Sequence, residues 1–154
     1  MRISIAADHG GYEMKERLKE ALTRDGHQVE DFGACGLDLG DDYPDFVIPM
    51  AEAVASGKAE RGIALCTSGV GASIAANKIP GVRAALIHET FSARQGVEDD
   101  DMNVLCLGSK VLSSDGALEL ARLFLEARFS GAERHRRRLG KVADMEKALK
   151  GDRP

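Results

Sequence analysis

A chain of 154 residues that is 44% apolar and has no Pro/Gly/Ser-rich linker is expected to fold as one compact domain over residues 1–154. Its formal charge of -4 argues against general nucleic-acid binding, and no apolar run approaches the roughly 20 residues that cross a bilayer, so a cytoplasmic protein with no membrane association is expected. Cys35, Cys66 and Cys106 show no CxxC spacing, and His9, His27, His88 and His135 form no HExxH-type pair, so neither a disulfide framework nor a metal site is implied.

The predicted elements alternate. "RISIAA" reads as a buried strand, followed by a helix over "YEMKERLKEALTRDG", whose apolar Met14, Leu18 and Leu22 recur at helical spacing before a glycine stop. "HQVEDFG" is a weaker strand, and "PDFVIPMAEAVASG" a helix opened by Asp42 and Pro44. "RGIALC" is a third strand, "GASIAANK" a short helix, "VRAALIH" a fourth strand, "TFSARQGVED" a helix and "NVLCLG" a fifth strand. A long helix near "SSDGALELARLFLEARF" and a last one over "AERHRRRLGKVADMEKALKG" close the chain. Nearly all-apolar strands alternating with helices imply an α/β fold, a parallel sheet covered on both faces.

Ligands of such sheets sit beyond the carboxyl ends of the strands. That places "ADHGG", "CTSGVGAS", "HET" and "GSK" on one rim. Gly69 and Gly71 permit a tight turn whose N–H groups suit one small anion. The P-loop lysine and the dinucleotide fingerprint are both absent, so no nucleotide cofactor is implied. A mere tight connection would use the same glycines. Cys66, where the third strand meets the turn, is a candidate base or nucleophile, and the same pattern fits an inert buried thiol. Asp8 and His9 could move a proton or hold a phosphate, or Asp8 could cap the next helix. Arg134 and Arg138 share a helix face, and their guanidinium forks suit phosphate oxygens. They reach the rim only if that helix folds back or docks on a partner subunit. The acidic run "EDDD" at 98–101 also reads as a solvated loop.

Together "ADHGGYEMKERL", "DDYPDF", "GIALCTSGVGASIAANKIPGVRAAL", "TFSARQGVEDDDMNVLCLGSKV" and "RHRRRLGKV" resemble the type B ribose-5-phosphate isomerase family, which includes the galactose-6-phosphate isomerase subunits. The resemblance covers nearly the whole chain. It implies a Rossmann-like three-layer sandwich with a five-stranded parallel sheet and an extra C-terminal helix, about 134–150, packed on a partner. It also implies a homodimer or dimer of dimers with active sites between subunits, and cofactor- and metal-free aldose–ketose isomerisation of a phosphorylated sugar through a cis-enediolate.

By this resemblance Cys66 is the base between C1 and C2, since the glutamate used by another branch matches Ala72. Ser68 supports the sugar oxygens, Thr67 contacts the substrate, and the amides of Gly69, Val70, Gly71, Ala72 and Ser73 form the anion hole. Asp8 and His9 contact sugar and phosphate, Tyr43 lines the pocket, and Lys110, Arg134 and Arg138 serve the phosphate. One departure stands out. Where family members carry a His-Asn pair that opens the furanose ring, this chain has Asp99-Asp100, and a carboxyl with a pKa near 4 is a poor acid at neutral pH. Ring opening would then fall to Asp99 itself, to Asp8, His9 or His88, or the substrate would be a different sugar.

Overall fold

A computed structural model describes residues 1–151, with side chains to residue 149; residues 152–154 of the expected domain lie outside it. The order is β1 (Arg2–Ala7), α1 (Tyr12–Arg24), β2 (Gln28–Asp31), α2 (Tyr43–Ala55), β3 (Arg61–Cys66), α3 (Val70–Ala76), β4 (Ala84–Leu86), α4 (Thr90–Asp100), β5 (Val104–Gly108), α5 (Ser114–Glu126) and α6 (Glu133–Gly151). All five strands are parallel, in the order β2-β1-β3-β5-β4. Each expected element is present. The edge strands β2 and β4 are shorter than their apolar patterns suggest, because only one neighbour extends the ladder there.

The central strands alternate large and small side chains, and this divides the helices between the faces. Ile3, Ile5, Ile63, Leu65, Leu105 and Leu107 face α1, α4 and α5 in one buried cluster. Ala6, Ala64, Cys66 and Cys106 face α2 and α3 in the other. Small residues let a helix approach closely. A Cβ on Gly62 would lie 2.6 Å from the Met50 sulfur and 3.0 Å from Val54, so α2 rests almost on the backbone of β3.

The outer helix α6 meets the rest of the chain at points well separated along its length. α4 leaves the carboxyl end of β4 and finishes at the amino end of β5, and the buried His135 of α6 meets α4 there. Glu146 of α6 accepts the N–H of Gly81, just before β4, at 2.8 Å. Val142, Met145 and Leu149 are left exposed on α6.

Candidate active site

The crossover that sends α1 to one face and α2 to the other opens a crevice at the carboxyl ends of β1 and β3. Three loops are fastened together there. Ser109 and Lys110 extend the β3–β5 ladder, their N–H groups donating to the carbonyls of Cys66 and Thr67 at 3.0 Å each. The Ser109 hydroxyl donates to the Gly10 carbonyl of the loop after β1.

Cys66 ends β3 and is 6% exposed. Its Sγ accepts the N–H of Gly69 at 3.0 Å. Gly69 has φ 80°, a conformation that costs a side-chain-bearing residue energy, and a Cβ there would stand 2.4 Å from Leu86 and 2.9 Å from the Leu107 carbonyl carbon. The glycine is what turns this amide onto the thiol. Among the five amides expected to form the anion hole, that of Gly69 faces the sulfur, that of Val70 donates to Ser68 Oγ at 3.3 Å, and that of Ser73 closes the first helical bond onto Gly69 O at 3.0 Å. Gly71 and Ala72 remain, with first-turn N–H groups that have no intrahelical acceptor. Tyr43 covers them from α2: a Cβ on Gly71 would fall 2.8 Å from its ring.

Gly69→Ala is therefore expected to lower kcat by about 10²-fold, the scale of a displaced oxyanion donor, and to reduce stability as well. Steady-state kinetics on folded variant would check the first effect; a kcat within twofold of the parent would mean that the turn does not position the reacting groups.

Cys106 lies in the same small-residue cluster, but burial, with a smaller contribution from Cys66, pushes its thiol pKa far up and keeps it protonated. Cys35 is exposed on the loop after β2.

Asp8 is 7% exposed, and its Oδ1 accepts the Gly11 N–H at 3.2 Å just ahead of α1. His9 projects from the same loop, with Nδ1 2.6 Å from Asp41 Oδ1. This bond, helped by the charges of Asp8 and Asp41, raises the His9 pKa above its ordinary value of 6.5 against the effect of desolvation. His9, Thr67 and Lys110 line a cleft of about 620 Å³ that continues past Arg17 and Leu37. Asp41, Ser109 and Arg17 were not singled out by sequence reasoning. No local pattern marks them, since the contacts that matter span 32 residues for Asp41–His9 and 99 for Ser109–Gly10.

The remaining predicted residues, His88 apart, lie away from this rim. Asp99 ends α4, where its Oδ2 accepts from Gln95 Nε2 at 2.8 Å and its Oδ1 is 3.4 Å from His135 Nε2. Arg134 Nε donates to the same His135 nitrogen at 2.8 Å. The run at 98–101 is thus a helix end and its cap, not a free loop; Asp101, with φ 48°, also pairs with Arg83 at 2.7 Å. Arg138 is exposed one turn beyond Arg134, and Asp100 is exposed beside Asp99. A parallel strand of five or six residues is about 17–20 Å long, so Asp99, Asp100, Arg134 and Arg138 stand at the opposite end of the sheet from the Cys66 of their own chain. His88 is exposed at the carboxyl end of β4, and its neighbour Glu89 caps α4 through the Ser92 N–H. Among the described residues no cluster of His, Cys, Asp or Glu could hold a metal ion, and no helix is long and apolar enough to cross a membrane.

The ribose/galactose isomerase family model matches residues 3–142 of this chain. The chain belongs to that family. It is 45% identical to ribose-5-phosphate isomerase B of Clostridium thermocellum, with a TM-score of 0.93 over 97% of this chain and 99% of that one. Ribose-5-phosphate isomerase B of Mycoplasma genitalium, solved with bound ribulose-5-phosphate, is 38% identical, with a TM-score of 0.91 over 95% and 96% of the two chains. The D-erythrulose-4-phosphate isomerase 2 of Mycolicibacterium smegmatis is 38% identical over 128 residues, 82% of each chain. This family member is an aldose–ketose isomerase, and its fold is the α/β sandwich of the solved relatives.

Proposed function

We propose that the protein interconverts ribose 5-phosphate and ribulose 5-phosphate, with Cys66 moving the proton between C1 and C2. The observation that carries this reading is the thiol at the tip of β3 receiving the Gly69 N–H. That amide fixes the sulfur at the rim, where as a thiolate it would accept the C2 proton; the same proton returned to C1, with the O2 hydroxyl proton passed to O1, completes the shift with no net change in the enzyme. As the C2–H bond breaks, negative charge gathers on the carbonyl oxygen, and the free N–H groups of Gly71 and Ala72 are preorganised to receive it. Tyr43 covers that pocket, Ser68 and Asp8 take the sugar hydroxyls, and His9 with Lys110 marks the phosphate end.

Arg134 and Arg138, too far from their own Cys66, serve the site of a second copy docked through α6. Truncating both to alanine is expected to raise KM for ribose 5-phosphate by about 10-fold or more, as loss of charge-assisted bonds does, while leaving turnover of free ribose at its parent rate. An equal loss on phosphorylated and free sugar would remove the arginines from the phosphate site.

A second reading follows from Asp99. Its side chain is held by Gln95 and His135, and it stands where the resemblance puts the histidine that opens the furanose ring. A tetrose 4-phosphate needs no ring opening, because phosphorylation of O4 leaves no hydroxyl able to close a five-membered ring. The likeness to an erythrulose-phosphate isomerase supports this reading. Solvent exchange at C2 and product formation, measured with ribose 5-phosphate, erythrose 4-phosphate, allose 6-phosphate and galactose 6-phosphate, separate the two. Fast ribose 5-phosphate turnover upholds the first; tetrose turnover alone upholds the second; tight binding with no exchange on any substrate would leave a non-catalytic sugar-phosphate-binding module.

A further inference from the structure

The loop between β2 and α2 delivers Asp41 to the rim. Its course is set locally: Asp38 Oδ1 accepts the Gly40 N–H at 2.9 Å, and the Asp38 carbonyl accepts the Asp41 N–H at 3.2 Å. The Asp41 side chain is then only 7% exposed, against 34% for His9. One carboxylate oxygen, Oδ1, accepts both the backbone N–H of His9 at 2.9 Å and its ring Nδ1–H at 2.6 Å. The other, Oδ2, is buried with no hydrogen-bond partner among the described residues. A buried carboxylate left half-satisfied gains most from a full positive charge on its single partner. The partner's remaining donor, Nε2, is at the far corner of the ring from this bond, and His9 lines the cleft together with Lys110 and Arg17.

We propose that Asp41 is a positioning residue for the phosphate end of the site: it clamps His9 through Nδ1 and keeps the ring an imidazolium whose Nε2–H is offered to the substrate phosphate. The proposal rests on the sugar-phosphate reading above and names the group that makes one phosphate contact persist at the pH of turnover. The charges facing His9 are Asp8 beside it, Asp41 from the loop after β2, Glu13 and Arg17 from α1, and Lys110 from the loop after β5. The two aspartates favour the protonated ring, and the hydrogen bond to Asp41 is the strongest of these influences. Protonation supports binding below the His9 pKa and is lost as pH rises through it. Removing the Asp41 charge brings that loss to lower pH.

The test pairs Asp41→Asn, which keeps an oxygen for both His9 N–H groups but removes the charge, with Asp41→Glu, which restores it. His9 ring titration by NMR, the affinity for inorganic phosphate and the pH profiles of KM and kcat for ribose 5-phosphate are measured on each. In Asp41→Asn the ring is expected to titrate at lower pH, with KM and the phosphate Kd at pH 7.5 rising severalfold and up to roughly tenfold, and kcat changing less than twofold. Asp41→Glu should recover most of the shift. In a His9→Gln background Asp41→Asn should add nothing to the KM profile. An unmoved His9 titration, or a moved titration with unchanged phosphate affinity, overturns the proposal. If the parent turns over no sugar phosphate while its phosphate affinity still follows His9, the isomerase substrate reading falls and the role of Asp41 stands.

Discussion

Cys66→Ala is expected to lower isomerisation by about 10³–10⁴-fold, the scale of a lost general base, while binding of a phosphorylated sugar acid changes little. Alanine removes the sulfur that the Gly69 N–H meets and leaves the turn, Tyr43 and the phosphate end as they are. The loss should fall on kcat and kcat/KM together, because the thiol acts on the transition state. Cys106→Ala supplies the contrast. That thiol is fully buried and held neutral, so its removal should reduce stability and leave kcat intact. Steady-state rates and C2–H exchange measured on both variants decide the matter. A Cys66→Ala enzyme that exchanges the proton at the parent rate would assign the base to another residue of the rim.

Asp31→Ala is expected to cost about 3 kcal/mol of folding stability, because it strips the main partner from a fully buried ammonium. Lys15 has no exposed surface and donates to both Asp31 oxygens at 2.8 and 2.7 Å and to the Ala34 carbonyl at 2.8 Å. Lys19 reaches Asp31 Oδ2 at 2.6 Å, and Glu16 reaches Lys15 at 2.8 Å. Burial opposes ionisation of Asp31, but the two lysines outweigh it and hold the carboxyl below its ordinary range. With the folded pKa depressed, this stabilisation is present above the unfolded value near 4 and is lost as pH falls through the lower folded value. The gap between parent and variant in urea unfolding should therefore be full at pH 7 and close below about pH 4. Equal stability at pH 7 would show that the buried lysine finds other partners at no cost. The same cluster anchors the start of the loop that carries Asp41, so Asp31→Ala should also weaken phosphate binding.

Helix and strand order was legible because the central strands β1, β3 and β5 are nearly all apolar and buried and the helices between them carry apolar spacing, as in Met14, Leu18 and Leu22. The rim was legible too, since in a parallel sheet every loop after a strand lies at one end; Cys66, Ser68, Asp8, His9, Tyr43 and Lys110 all fall there. Strand order was not. Nothing local tells β5 to insert between β3 and β4, yet that insertion brings Ser109 and Lys110 onto Cys66 and Thr67. Nor did spacing distinguish Gly71 and Ala72 from the neighbouring amides, because which N–H is free depends on where Cys66 and Ser68 point their side chains.

By itself the sequence determined the elements, the two-sided burial of the sheet, the cysteine and glycine turn, and through its motifs the family. These follow from periodicity and from backbone conformations that only particular residues adopt. The tertiary structure decided which groups share a space: Asp41 with His9, Lys15 with Asp31, Asp99 with His135, and the separation of Arg134 and Arg138 from their own thiol by the length of the sheet. Contacts between residues distant in sequence are set by how the layers pack, and no short-range pattern carries that information.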